Sequence, residues 1–122
     1  MQNFKDMLET LEDASHIEGI VLSNKDGAIS SIEKKPGTHG SIKIYHHLWL
    51  AYGELSVDAA LEGIDLYCEY SEEAQNHPGK HPNIDRLFDI IENQKTLKIK
   101  SLVRVILFFG KVISLYALVA KN

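Results

Sequence analysis

The chain has 122 residues, of which 44% are hydrophobic and 25% charged, and its net charge is −4 at pH 7. This balance excludes a disordered or fibrous protein, and the length predicts a single domain over residues 1–122. The acidic net charge argues against a nucleic-acid binder, which is usually strongly basic. Because no apolar run follows the N-terminus and Cys68 is the only cysteine, we expect no secretory signal, no internal disulfide and a cytoplasmic location.

The first predicted elements are a helix and a β-hairpin. An apolar stripe recurs at helical spacing at Phe4, Met7, Leu8 and Leu11. Two β-rich runs, over residues 17–22 and 28–32, then flank the sequence Asn-Lys-Asp-Gly at 24–27. An Asp-Gly pair between two such runs is typical of a hairpin turn, because glycine adopts the positive φ that the turn requires.

Three more helices are predicted in the middle of the chain. The first follows the loop 36–40, has Ser41 as its N-cap and carries a stripe of large side chains, which are Tyr45, Leu48, Trp49 and Tyr52. The second begins after Ser56 and has two opposite stripes. The apolar stripe comprises Val57, Ala60, Leu61, Ile64 and Cys68, and the acidic stripe comprises Asp58, Glu62, Asp65 and Glu69. The third follows the loop 77–82 and has Asn83 as its N-cap. On this helix Arg86 is expected to pair locally with Asp85 and Asp89.

The C-terminal segment changes to a period of two at Leu97. This period predicts a strand with Ser101 on its buried face and Lys98 and Lys100 on the other face. Gly110-Lys111 suits a tight turn, so the apolar tail at 105–122 is predicted to add a last strand. A buried helix and a C-terminal membrane anchor stay open as alternatives, although an anchor would place Lys111 near the middle of the bilayer. We expect no membrane association.

The assembled order, α-β-β-α-α-α-β-β, places strands at both ends and helices between them. It predicts an α+β fold, in which an antiparallel sheet of about four strands, in two hairpins, packs against three to four helices. The segment 54–76 has acids but no Lys or Arg, whereas 95–122 has bases but no acid. Such asymmetry is typical of two elements that face each other, which we favour, or of two patches for different partners.

The second face of the C-terminal strands combines apolar and basic side chains. Leu102, Ile106 and Phe108 would lie there beside Lys98, Lys100 and Arg104. An exposed apolar patch of this kind commonly marks an interface. The sequence therefore predicts a homodimer formed through the C-terminal strands.

The most specific local pattern is a repeated tetrapeptide, Pro-Gly-x-His, at residues 36–39 and 78–81. In one interpretation, two helix N-termini present free N–H groups and a histidine to a single anion. That candidate anion site would comprise His39, Ser41, Lys80, His81 and Asn83. In the other interpretation, which we favour, Pro-Gly is simply the centre of a type II turn in both places.

Catalytic, metal and cofactor motifs are absent from the sequence. His77 and His81 are four residues apart, but Pro78 and Gly79 disfavour the helix that would align them. Cys68 lies on an apolar stripe and is expected to be a buried, unreactive side chain. We therefore predict no catalytic residue, no metal and no cofactor.

The leading hypothesis is a non-enzymatic binding or regulatory module for a small anionic ligand or a protein partner. The alternative is a small enzyme with His39 or His81 as its general acid–base.

Two stretches resemble a known family. They are residues 33–41 and, more specifically, Asn-His-Pro-Gly-Lys-His-Pro-Asn-Ile-Asp-Arg-Leu at 76–87. Both resemble a family of short bacterial proteins catalogued only as a domain of unknown function, over about residues 1–105. The resemblance implies a bacterial, cytosolic, single-domain protein. It implies no activity, ligand or catalytic residue.

Overall fold

The computed structural model describes residues 3–27, 29–108 and 112–119, with the backbone alone at 29, 104–108 and 112–119. Its elements are α1 (Phe4–Glu9), β1 (Ile17–Ser23), β2 (Ile29–Glu33), α2 (His39–Tyr52), α3 (Val57–Leu66), α4 (Glu69–Asn76), α5 (Pro82–Asn93), β3 (Lys98–Phe108) and β4 (Val112–Val119). The predicted α+β class is confirmed.

The sheet is antiparallel, as predicted, and β1 lies between β2 and β3. Asn24 begins the turn between β1 and β2, where its carbonyl oxygen accepts from the Gly27 N–H at 3.0 Å and its side chain accepts from the Asp26 N–H at 2.8 Å. Ala28, predicted to open the second strand, lies outside the described residues. The backbone of β4 pairs with β3 on the far side from β1. Strand β2 is therefore an edge of the sheet.

Side chains alternate across the sheet with the predicted period of two. Ile99 and Ser101 of β3 are buried, and both belong to the face that carries the core. Lys98 is exposed and Lys100 is half-buried on the opposite face. Lys98 and Lys100 therefore do not face the acidic segment, because strand alternation turns both away from the helical layer. The side chains of the bases from Arg104 onward lie outside the described residues, so for them the expectation stays a prediction.

The described part of the chain has five helices, not the three or four predicted. The segment predicted as a single helix after Ser56 divides into α3 and α4 at Cys68, whose φ is 53°. An α-helix cannot continue through a left-handed residue. Cys68 is consequently half-buried at a helix junction, and not a buried member of an apolar stripe. Burial, with nearby Glu69 and Asp65, raises the pKa of its thiol.

Helices α2, α3 and α5 bury most of the helical side of the core. Its fully buried members include Tyr45, Leu48, Ala59, Ala60, Leu87 and Ile90. Two predicted stripe positions are wrong, since Tyr52 and Leu61 are 38% and 49% exposed. Gly63 of α3 packs against Leu87 of α5 and Leu48 of α2, and Leu61 lies on a different side of the helix.

The apolar tail is described only in part. The turn predicted at Gly110-Lys111 and residues 120–122 lie outside the described residues, as does every side chain from residue 104 onward. The second hairpin and the homodimer surface, which needs Ile106 and Phe108, therefore stay predictions. In the part of the chain that the structure describes, no helix is long and apolar enough to cross a membrane.

Candidate functional site

Two turns of the same form carry the repeated tetrapeptides. In the turns 35–38 and 77–80, the N–H of the fourth residue donates to the carbonyl of the first, at 3.1 Å in both cases. Gly37 and Gly79 occupy the third position with φ values of 93° and 94°. Glycine adopts this left-handed conformation without a side-chain clash, and proline at the second position presets its own φ. The geometry fits the type II turn interpretation of both loops.

The helices after these turns begin earlier than predicted. Pro82 takes the first position of α5, because proline has no N–H to leave unsatisfied and a φ that already suits a helix. Thr38 precedes α2, but its Oγ1 lies 2.6 Å from the Glu33 carbonyl oxygen and accepts from the Lys35 N–H at 3.0 Å. Its hydroxyl therefore closes the turn and makes no cap. Ser41 and Asn83 consequently lie inside their helices, and the prediction that they are N-caps is wrong.

Both loops line one cleft of about 720 Å³, at the edge strand β2 and the N-terminal ends of α2 and α5. Four of the five predicted anion-site residues line it, namely Ser41, Lys80, His81 and Asn83. His39 does not, and lines a separate cavity of about 360 Å³. The cleft volume falls in the range typical of small-molecule sites.

Glu73 engages two of the predicted anion-site residues. Lys80 Nζ donates to Glu73 Oε1, and His81 Nε2 lies 3.1 Å from Glu73 Oε2. The hydrogen bonds from Lys80 and then His81 lower the pKa of Glu73, so this carboxylate is ionised at neutral pH. Its charge offsets that of Lys80. Lys80 and His81 are thus less available to an anion than the sequence alone indicates.

Arg86 lines the same cleft, and the interpretation of the sequence missed it. Its expected partners on α5 are engaged elsewhere: Asp85 accepts from the Gly79 N–H at 2.9 Å, and Asp89 pairs with Lys95 at 2.8 Å. No ion pair joins Arg86 to a carboxylate within the described ranges. The expectation of local pairing is therefore wrong.

Neutral oxygens hold the Arg86 guanidinium in place. Its Nη1 donates to Tyr45 Oη and to Asn83 Oδ1, and its Nη2 donates to Ser30 Oγ, each at 3.0 Å. These bonds use three of the five N–H donors of a guanidinium. The side chain is oriented by α2, α5 and β2 together, and keeps donors for a ligand.

Tyr45 supports this arrangement from the core. It is fully buried, its hydroxyl donates to the Asn83 carbonyl at 2.6 Å, and its ring centroid lies 5.5 Å from Arg86 Cζ. Burial raises the pKa of Tyr45 to about 12, although Arg86 opposes the shift. The phenol is therefore neutral and does not cancel the charge of Arg86.

The charge of the cleft is opposite to that of the whole chain. Three cations line it, Lys35, Lys80 and Arg86, against one acid, Glu33, and the charge of Lys80 is offset by its partner Glu73. The chain as a whole has a net charge of −4. Among the described residues, no group of three or more His, Cys, Asp or Glu side chains could hold a metal ion. The cleft is suited to an anion.

Comparison with known proteins gives one match. The family model described as "Uncharacterized protein conserved in bacteria (DUF2322)" matches residues 4–101, which contain every residue that lines the cleft. No curated protein and no solved structure was found to match the chain. Because the matched residues make up more than half of its length, the chain belongs to this bacterial family.

Proposed function

We propose that the protein is a non-enzymatic module that binds a small anionic ligand in the cleft. The observation that carries the proposal is Arg86, a cation that lines the cleft without a carboxylate partner in the described part of the chain. A guanidinium presents two parallel N–H groups that match a carboxylate or phosphate. Arg86 is oriented by three hydrogen bonds before any ligand arrives.

The surroundings of Arg86 favour an anion further. Residues from the first turns of α2 and α5 both line the cleft, and the N-terminal end of a helix carries positive partial charge. Lys35 also lines the cleft and is exposed. An anion bound to Arg86 would therefore meet favourable charge from several elements at once.

Phosphate binding to matched variants tests the proposal. Inorganic phosphate, titrated at constant ionic strength and followed by amide chemical shifts, is expected to perturb residues 37–41 and 80–86 in the wild-type protein. Arg86→Gln should weaken phosphate binding about tenfold, because a charge-assisted hydrogen bond contributes about 1.5–3 kcal/mol and this site is partly solvated.

Lys95→Gln is the matched control. It removes one positive charge beyond the other end of α5, where Lys95 pairs with Asp89. Its phosphate affinity should stay within about twofold of wild type, since exposed charges farther away than about 10 Å are screened by salt. Equal affinities of wild type and Arg86→Gln, or shifts confined to other surfaces, would refute the anion site.

General acid–base catalysis by His81 is the second candidate function. Glu73 bonds one ring nitrogen of His81, a pairing that orients an imidazole for proton transfer. His39 has no such role in the cleft, because it lines the other cavity. The variant His81→Gln distinguishes the two functions. A binding module should keep most of its phosphate affinity, whereas an enzyme that converts a ligand in the cleft should lose its catalytic rate.

A protein partner is less favoured as the occupant of the cleft. A concave site of about 720 Å³ suits a small molecule, whereas protein interfaces are broad.

We also propose a cytoplasmic setting, since Cys68 is a free thiol.

A further inference from the structure

The cleft has an aromatic wall that an anion alone would not use. Phe4 and Tyr67 stack with centroids 5.7 Å apart and planes 4° apart, and Tyr70 meets Phe4 edge-on at 5.1 Å. All three rings line the cleft. Tyr67 is 3% exposed and Tyr70 is 37% exposed, so the wall runs from the core out to the surface.

This wall is held in place by contacts on each side. The N–H of Phe4 donates to Glu69 Oε1 at 2.7 Å, which ties the start of α1 to α4. The Tyr67 hydroxyl donates to Ser41 Oγ at 2.7 Å, which ties the same wall to α2. The predicted site residue Ser41 thus supports an aromatic side chain.

The segment 81–83 connects the aromatic wall to the cationic group. The ring of His81 lies 5.6 Å from that of Tyr70, and Asn83 Oδ1 accepts from Arg86. Residues 81 and 83 are two apart, so their Cα atoms lie within about 7 Å of each other. The aromatic wall and the guanidinium thus line one and the same cleft, with this segment between them.

We infer that the ligand is an anion joined to a planar ring, about the size of a nucleoside monophosphate. Its phosphate or carboxylate lies on Arg86, and its ring packs against Tyr70 and Phe4. The inference rests on the proposed anion site and adds the ring. A volume of about 720 Å³ is more than a bare phosphate needs, and aromatic side chains stack on planar rings of many kinds.

Two pairs of probes separate the ring from the anion. Adenosine 5′-monophosphate is compared with ribose 5-phosphate, and phenyl phosphate with methyl phosphate, by calorimetric titration of the full chain. In at least one pair, the member with the ring should bind about 5- to 150-fold more tightly, the range that stacking on one aromatic side chain contributes. Adenosine alone should bind weakly.

Tyr70→Ala should remove the preference for the ring-bearing probe and leave the affinity for its ring-free partner unchanged. Arg86→Gln should weaken both members of a pair. Tyr52→Ala is the matched control, since Tyr52 is a similarly exposed tyrosine, 38% against 37%, at the other end of α2. It should change neither affinity.

The outcomes distinguish this inference from the proposed function. Equal affinities within both pairs, with Arg86-dependent binding retained, would refute the inference that the ligand has a ring and would leave the proposed anion site intact. A ring preference that survives Tyr70→Ala would overturn the placement of the ring. If no probe binds in an Arg86-dependent way, the anion site itself fails and the inference with it.

Discussion

Replacing Leu87 by alanine is expected to destabilise the fold by about 2–5 kcal/mol, the usual cost of such a cavity in a packed core. Leu87 lies on α5 and is fully buried. It fills the space above Gly63 of α3, where an added Cβ would lie 2.7 Å from Leu87 Cδ1 and 3.1 Å from Leu48 Cδ1. Three helices therefore meet at a position where residue 63 has no side chain.

The same geometry predicts a coupling between the two positions. Gly63→Ala alone should destabilise the fold by about 1–3 kcal/mol through overpacking, and about 1 kcal/mol of better helix propensity should partly offset this loss. In Gly63→Ala/Leu87→Ala the new methyl group enters the vacated space. The double variant should therefore lose at least about 0.5 kcal/mol less than the sum of the two single variants.

Urea unfolding of the four proteins in this cycle measures the coupling. Leu61→Ala is the control, because Leu61 lies on the same helix but is 49% exposed, and its replacement should change stability by about 0.5 kcal/mol or less. Strict additivity of the two changes would show that Gly63 and Leu87 do not share this space.

The stability of the fold should depend on pH through His47, which bridges two segments. Its Nδ1 lies 2.8 Å from Glu12 Oε2 and its Nε2 lies 2.6 Å from Glu62 Oε2. Burial lowers the pKa of His47, but the hydrogen bonds to the two carboxylates outweigh it and raise the pKa above 6.5. Burial raises the pKa of Glu12, but its hydrogen bond with His47 outweighs this effect and lowers the pKa below 4.5.

The sign of the pH effect follows from these directions. A raised histidine pKa stabilises the folded state fully below pH 6.5, and this contribution is lost as the pH rises through the higher folded pKa. A lowered carboxyl pKa stabilises above pH 4.5, and its contribution is lost as the pH falls through the lower folded pKa. The bridge is therefore strongest in mildly acidic solution, between pH 4.5 and pH 6.5, where both contributions are complete.

His47→Gln should lower the free energy of unfolding by about 1 kcal/mol at pH 6, because the bridge is partly solvated, and by less above the folded pKa of His47. The difference between wild type and variant is the quantity to measure. The comparison with a variant is needed because His46 has the opposite effect. Burial and then His16 lower the pKa of His46, so this histidine favours folding as the pH rises. His77→Gln, at an exposed histidine, is the control. A difference that stays constant from pH 5 to 9 would contradict a charged bridge.

Local chemistry determined much of the fold. The Asp-Gly turn, the two Pro-Gly turns and the period-two strand at Leu97 each depend on a few adjacent residues, and the structure contains all of them. The segregation of strands and helices was enough to predict the α+β class. The division at Cys68 was not predictable in this way, because no glycine or proline marks the left-handed residue.

The candidate site was predictable only in part. The two Pro-Gly-x-His repeats pointed to both loops of the cleft, because turns before helices can be read from adjacent residues. Which side chains then face the cleft depends on where each helix begins, and for this reason His39 lies in another cavity while His81 and Asn83 line this one.

The role of Arg86 depends on contacts between segments that are distant in the sequence. In the sequence its nearest acids, Asp85 and Asp89, favour local pairing. In the fold its partners Tyr45 and Ser30 come from 41 and 56 residues away. Such contacts depend on how α2, α5 and the edge strand pack together, and no local pattern encodes that packing. Local sequence patterns specify the turns and helices that frame the cleft, whereas tertiary packing places there a cation that has no carboxylate partner in the described part of the chain.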